Sequence, residues 1–515
     1  MAAIRFDEQG REVHLRTCPL CEAMCGLEVH VAGDTAELIR GDRDDVWSRG
    51  YLCPKGTALG HLHHDPDRLT APVVRRPDGT FEEVGWGEAF DRCSELLHPV
   101  IERHGIEAVT AYVGNPLAHA IGLSRYIGIL IGMSGIPMIY SPGTVDQWPK
   151  NVSSHLLYGS MWTIPVPDVR RTDLLVVMGA NPHASQGSLL ACPDVMGELE
   201  SIIGRGGEVV VVDPRRTGTA EAASEWVPIT PGTDAALLLA VCQVLFDENL
   251  VDCGPTGRLL DGVEEIARLV DSWTPERVAP VTGIAAERIR RLARQLAGTE
   301  RAAVYGRIGL CNQEFGTLAS WLVDVVNALT GHLDAVGGSM FPKAAAWPVA
   351  SLPMEGLEGG AANFGRWHSR VRGAPEVLGH VPASCLAEEI ATPGEGQIRA
   401  LFTVAGNPVL STPGGDRLDA ALAGLDCMIS VDNWINETTR HADVILPGHS
   451  PLEQAHHDDL ILMFAVGSVA KYSPPVFEPD DGRPGEWEVL IRLAGACTGE
   501  SANDVDVEAI DDGFF

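Results

Sequence analysis

Four cysteines near the start of the chain carry its most specific chemistry. Cys18, Cys21 and Cys25 fall in the run Thr17-Cys-Pro-Leu-Cys-Glu-Ala-Met-Cys-Gly26, and Cys53 follows in Tyr51-Leu-Cys-Pro-Lys-Gly56. The spacing is C-x2-C-x3-C, then a gap of 27 residues and a fourth Cys. Four converging thiolates suit a metal centre, either structural zinc or a cubane iron–sulfur cluster. Zinc sites usually pair two short C-x-x-C knuckles. Here three cysteines share one tight loop and the fourth comes from a distant turn. That layout suits a 4Fe–4S cube better than zinc, with scattered buried thiols as the plain alternative. A cluster implies electron transfer.

The rest of the chain must supply the other end of that path. Its 515 residues allow three or four domains at about 150 residues each. A net charge of −32 argues against nucleic acid or an anionic membrane as partner, since both reward basic patches. The first residues hold neither an apolar signal core nor a twin arginine. The longest uncharged apolar stretch, Tyr126 to Tyr140, is short and broken by Gly and Pro, so it reads as core. A cytoplasmic protein without membrane insertion is expected, its other eight cysteines being buried thiols.

The first ~60 residues read as a small β-rich module. Helical patterning follows from Trp86 to His104. The middle of the chain then repeats one theme: a short apolar run ends in a polar turn carrying Gly or Pro. The runs are Leu174 to Met178, Val209 to Val212, Ala302 to Tyr305, Leu401 to Val404 and Met428 to Val431. Helix-like segments lie between, at 234–248 and 285–297. This alternation predicts doubly wound α/β architecture with strands buried on both faces. Ligands then bind beyond the carboxyl ends of the strands, where these turns sit. The stretch 366–394, rich in Pro and Gly, is expected to be an insertion loop or a lid.

No turn is a P-loop or a full G-x-G-x-x-G. Asp213 after four valines resembles the acid that takes a ribose hydroxyl, and Arg215 and Arg216 beside it can stack on a base or meet a phosphate. Pro231-Gly-Thr-Asp234 has the shape of a turn feeding a helix N-terminus. Any one of these also reads as ordinary loop chemistry. Five such turns behind a cluster-type cysteine set point to a large nucleotide-bearing cofactor.

At this point the chain resembles the molybdopterin oxidoreductase family. The resemblance runs from Cys18 to about Pro447. It rests on the four cysteines with Lys55, Gly179-Ala-Asn-Pro182, Asp213-Pro-Arg-Arg-Thr217, Pro231-Gly-Thr-Asp234, Gly309 to Asn312 and Gly406-Asn-Pro408. Asp432, Glu437-Thr438 and Ala442-Asp-Val-Ile-Leu-Pro447 complete it. It implies a molybdenum or tungsten bis(molybdopterin guanine dinucleotide) cofactor beside a 4Fe–4S cluster on Cys18, Cys21, Cys25 and Cys53. Lys55 matches the family lysine between cluster and pterin, where a buried charge would favour electron arrival. Asn181, Asp213, Arg215, Gly232, Asp234, Asn312, Asn407 and Asp432 match positions that contact the two dinucleotides.

The family's protein ligand to the metal falls on Asp146, counted from Gly159, with Ser141 and Gln147 as fallbacks. No Cys lies between Cys93 and Cys192, so a thiolate ligand is excluded there. A carboxylate suits a high-valent metal. His155 and Arg307 are candidates for acid–base and anion-orienting roles, although His155 reads better as a packing residue.

The resemblance implies an N-terminal Fe–S module over 1–63, an α/β domain from 64–135 and 302–515, and a Rossmann-like domain over 136–301. Family members usually continue into a C-terminal β-barrel-like domain, which is not expected in this chain. The chain is then a fragment, is completed by another polypeptide, or holds its cofactor incompletely. The implied function is oxidoreduction of a small-molecule substrate, with electrons passing through the cluster to a protein partner. A metal-free scaffold subunit of a larger redox complex and a non-redox hydratase on the same cofactor are the alternatives.

Overall fold

The computed structural model describes residues 5–346, 364–480 and 482–514, so the expected outer limits at 1 and 515 lie outside the described residues. The N-terminal module is an antiparallel four-stranded sheet of Arg5–Phe6, Glu12–Thr17, Gly26–Ala32 and Thr35–Gly41. Two short helices, Pro54–Thr57 and Leu59–His63, close it.

All five apolar runs are strands, and they divide between two sheets. Glu225–Val227, Glu208–Val212, Leu174–Met178 and Ala302–Gly306 form an all-parallel sheet in that spatial order. The second sheet centres on Val444–Leu446, Cys427–Val431, Ala400–Val404, Val109–Val113 and Ile139–Tyr140, again parallel. An antiparallel hairpin, Val73–Arg75 with Phe81–Glu83, extends one edge.

Burial explains why these strands read as unbroken apolar runs. Leu174, Val176 and Met178 face one core while Leu175 and Val177 face another across the sheet. Ala400, Phe402 and Val404 are likewise separated from Leu401. Helices cover both faces, so neither alternate set meets water. The helices Trp86–His104, Asp234–Asp247 and Ala286–Gly298 form where the sequence places them. Among the described residues no helix is long and apolar enough to cross a membrane.

Just past each expected domain limit, 135/136 and 301/302, lies a strand that joins a sheet across that limit. Ile139–Tyr140 pairs with Val109–Val113, and Ala302–Gly306 pairs with Leu174–Met178. Apolar periodicity marks a strand but not the sheet it joins. The segment 366–394 is not a plain loop: it holds a hairpin, Phe364–His368 with Pro375–Val377, and the helix Leu386–Ala391. Its Val381, Cys385, Leu386 and Ile390 are buried under the second sheet. Pro and Gly mark its turns, and these apolar residues anchor it.

Candidate cofactor and metal site

The cysteine loop is the hairpin turn between Glu12–Thr17 and Gly26–Ala32. The Cys18 N–H donates to the Cys25 carbonyl at 2.8 Å, and Met24, at φ +49°, donates to Cys21 at 3.3 Å. Cys53 precedes the helix Pro54–Thr57 and its carbonyl accepts from Gly56 at 3.1 Å. A Cβ on Gly56 would lie 3.6 Å from the Cys18 sulfur and 2.2 Å from Leu52 Cδ1, so this turn packs directly on the loop. Cys18, Cys25 and Cys53 are buried and Cys21 is half-buried. Burial pushes the Cys18 thiol up to about 12, with Cys21 and Cys53 as like-charged neighbours adding to the rise. Burial raises Cys21 and Cys25 as well, so these three thiols ionise together only where a cationic core offsets them, which is the chemistry an iron–sulfur cluster provides. Among the described residues no three His, Cys, Asp or Glu side chains gather closely enough for a single ion.

Lys55 lies on the Pro54–Thr57 helix, and its charge pulls against the burial that raises Cys21. The expectation of a buried ammonium is corrected: the side chain is exposed.

Asp146 follows the turn Pro142–Val145 and precedes the helix Trp148–Tyr158. Its Oδ1 accepts from Arg307 Nη2 at 3.0 Å. Arg307, at the end of strand Ala302–Gly306, is only 2% exposed and also donates to Ser188 Oγ from Nε and Nη2. Its Nη1 is buried without a partner among the described residues, as is Oε2 of Glu22. Glu22 stands beside Cys21. Burial pushes its carboxyl above the ordinary range, against the pull of Arg307 and His119. Glu22 therefore brings the cysteine loop into the electrostatic surroundings of Asp146 and Arg307. Sequence reasoning missed Glu22 and Ser188, which no local motif marks. Of the fallbacks, Ser141 is buried and Gln147 starts the Trp148–Tyr158 helix. His155 meets the ring of Phe364 edge-on at 5.6 Å, the packing role expected of it.

Each parallel sheet ends in the same device. Asn181 follows the strand Leu174–Met178, and its Oδ1 accepts from Thr219 Oγ1 at 2.8 Å. Thr219 in turn accepts from the His183 N–H at 3.0 Å. Asn407 follows Ala400–Val404, its Oδ1 accepts from Thr438 at 2.7 Å, and Thr438 accepts from the Val409 N–H at 3.1 Å. In both, the residue just past the strand takes positive φ: Gly179 at +55° and Ala405 at +49°. In both, a glycine lets the backbones that follow two strands touch. A Cβ on Gly179 would meet Leu310 N at 2.5 Å, and one on Gly114 would meet the Ala405 carbonyl at 1.8 Å.

An acid follows the neighbouring strand in each sheet. Burial raises Asp213, which accepts from the Arg215 N–H at 2.8 Å, and pushes Asp432 up to about 6. Arg215 and Gly232 are exposed, Gly232 at φ +81°. Asp234 is buried and accepts from Gln313 Nε2 at 2.8 Å. Asn312 donates to the Val145 carbonyl, steadying the backbone just before Asp146. Asn407 and Asp432 open onto a cavity of about 430 Å³, which also reaches Pro19 and Leu20 of the cysteine loop.

The buried threonines give a direct test of these cradles. Thr219→Val or Thr438→Val preserves shape but leaves an Asn oxygen and a backbone N–H unpaired. Each is expected to cost about 1–3 kcal/mol in denaturant unfolding. An unchanged midpoint would show that water replaces the hydroxyl.

Comparison with known proteins places the cysteine hairpin and the two parallel sheets in a known family. A model of the molybdopterin oxidoreductase Fe4S4 domain matches residues 13–64, and one of the molybdopterin oxidoreductases matches 68–494. Together they imply a 4Fe–4S cluster and a molybdenum or tungsten pterin cofactor. The chain is 24% identical to the dimethyl sulfoxide reductase DmsA of Haemophilus influenzae, over 87% of this chain and 60% of that one. It is 25% identical to the assimilatory nitrate reductase catalytic subunit of Bacillus subtilis, over 95% and 69%. Formate dehydrogenase H of Escherichia coli is also 25% identical, over 93% and 67%. The chain thus spans 60% to 69% of the length of these relatives. Acetylene hydratase from Pelobacter acetylenicus shares the fold, with a TM-score of 0.77 at 21% identity over 94% of this chain and 69% of that one. From the cysteine hairpin through both parallel sheets, the chain belongs to the molybdopterin oxidoreductase family.

Proposed function

We propose that the chain is the electron-transferring core of a molybdenum or tungsten bis(molybdopterin guanine dinucleotide) oxidoreductase. The observation that carries this is Glu22. It sits in the cluster loop yet lies within the field of Arg307 and Asp146, which supports a cluster next to the metal. When bound, the cofactor supplies a redox-active metal; this chain's residues supply placement and electrostatics. Asn181 and Asn407, locked by their threonines, hold the two dinucleotides at the strand ends, with Asp213, Arg215, Gly232, Asp234, Asn312 and Asp432 completing the cradles. Arg307 Nη1 and Glu22 Oε2 are the buried polar atoms left for what occupies the centre. Arg307 takes Asp146 Oδ1, so Oδ2 would be the oxygen available to hold the metal. Lys55 favours electrons arriving at the cluster beside Cys21. A small substrate, an electron-transfer protein partner and a cytoplasmic setting belong to the same proposal.

The test is metal, sulfide and GMP analysis of anaerobically purified protein with low-temperature EPR. Iron with sulfide, molybdenum or tungsten, and two GMP per metal are expected. Stoichiometric zinc without iron, or protein that never acquires GMP, would overturn the reading.

A further inference from the structure

Beside the second crevice lies a cluster that the reading above leaves unused. Asp458 is buried between two buried imidazoles. Its Oδ1 meets Nδ1 of His119 at 3.2 Å, and its Oδ2 meets Nε2 of His456 at 2.8 Å. His119 is 7%, His456 3% and Asp458 3% exposed. Burial opposes the charge of Asp458, but the bonds from the two rings hold it below the usual carboxylate range. An ionised carboxylate only accepts, so each ring turns an N–H toward it. That leaves Nε2 of His119 and Nδ1 of His456, neither with a hydrogen-bond partner among the described residues. Both imidazoles line the 430 Å³ cavity that runs from Asn407 and Asp432 to the cysteine loop. The remaining wall is largely apolar. Unpartnered polar atoms facing a cavity with a largely apolar wall mark where a ligand's polar edge belongs.

We propose that His119 and His456, oriented by Asp458, are cofactor-positioning residues whose free ring nitrogens take the hydrogen-bonding edge of the pterin. This rests on the cofactor reading above. In their neutral form the two imidazoles present lone pairs that match a fused pyrimidine edge carrying ring N–H and amino donors. Guanine shares that edge, but the pair stands at the cluster end of the cavity. His119 lies in the field of Glu22, and Asp458 in that of Cys18. The redox-active ring must occupy that end for electrons to reach the cluster.

The substitutions can separate positioning from mere clamping. His119→Asn keeps an amide near Nδ1 and His456→Gln keeps one near Nε2, so the bonds to Asp458 survive while the outward nitrogens are lost. The double variant, purified anaerobically, is expected to retain iron and its unfolding midpoint. Molybdenum and oxidised pterin should leave it about tenfold faster than wild type during dialysis, in keeping with one or two lost hydrogen bonds. Equal release would overturn the assignment. Should the double variant fold poorly, His119→Asn alone is measured the same way. GMP binding to cofactor-free protein, followed by equilibrium dialysis, should be equal in wild type and variant. Loss of GMP binding would place guanine there and overturn the pterin assignment. Wild type that carries no molybdenum, tungsten or GMP would instead fail the cofactor reading itself.

Discussion

Replacing Cys53 with Ala is expected to strip the chain of its cluster. Cys53 is the only one of the four cysteines outside the hairpin loop, and it leads directly into the short helices Pro54–Thr57 and Leu59–His63. Metal-binding free energy in such a module is also folding free energy. Losing the fourth thiolate should therefore loosen residues 54–63 as well as release iron. Iron and sulfide should fall to background, the EPR signal of the reduced protein should vanish, and proteolysis should begin within 54–63. A variant that kept full iron and an unchanged spectrum would show that Cys53 is not a ligand.

The second large effect is expected on folding stability. Lys150 and Asp324 form an ion pair at 2.5 Å, with side chains 8% and 2% exposed. It joins the helix after Asp146 to the helix Gly316–Leu329. Lys150→Met leaves a buried carboxylate without its cation, and removing one partner of a buried pair costs about 3–5 kcal/mol. Burial already pushes Asp324 up. In the variant the folded chain binds a proton more readily than the unfolded chain does. Stability should thus be greatest at low pH and fall as pH rises from about 4, the ordinary carboxylate value, through the raised folded value. Adding Asp324→Leu should restore most of the loss and flatten the pH dependence. Urea unfolding across pH decides it: a loss below about 1 kcal/mol in the single variant would mean that water reaches the carboxylate.

The cysteine set was legible because three of its members share one short loop, Cys18 to Cys25, and Cys53 follows within the same module. The strands were legible because burial on both faces removes polar alternation, as in Val209 to Val212. What stayed hidden is pairing through space. Nothing near Asn181 in the chain announces Thr219, and nothing near His119 announces Asp458, 339 residues away. Ala302–Gly306 could be read as a strand, yet its neighbour Leu174–Met178 comes from far upstream. Lys55 was placed by its position after Cys53-Pro54, but its exposure depends on how the module closes.

The two-faced burial of these strands has a consequence for alignment. In a sheet with one wet face, a slip by one residue turns apolar side chains outward and is heavily penalised. In Glu208–Val212 a slip exchanges valine for valine, so side-chain burial alone indexes the strand weakly. A slip also moves the chain by about 3.3 Å, and that displacement is felt at the strand ends. There Gly179 must stay against Leu310, and Asn181 must reach Thr219. The turns proposed to cradle the dinucleotides therefore also set the strand alignment, and on that reading cofactor recognition and sheet alignment stand or fall on the same few residues.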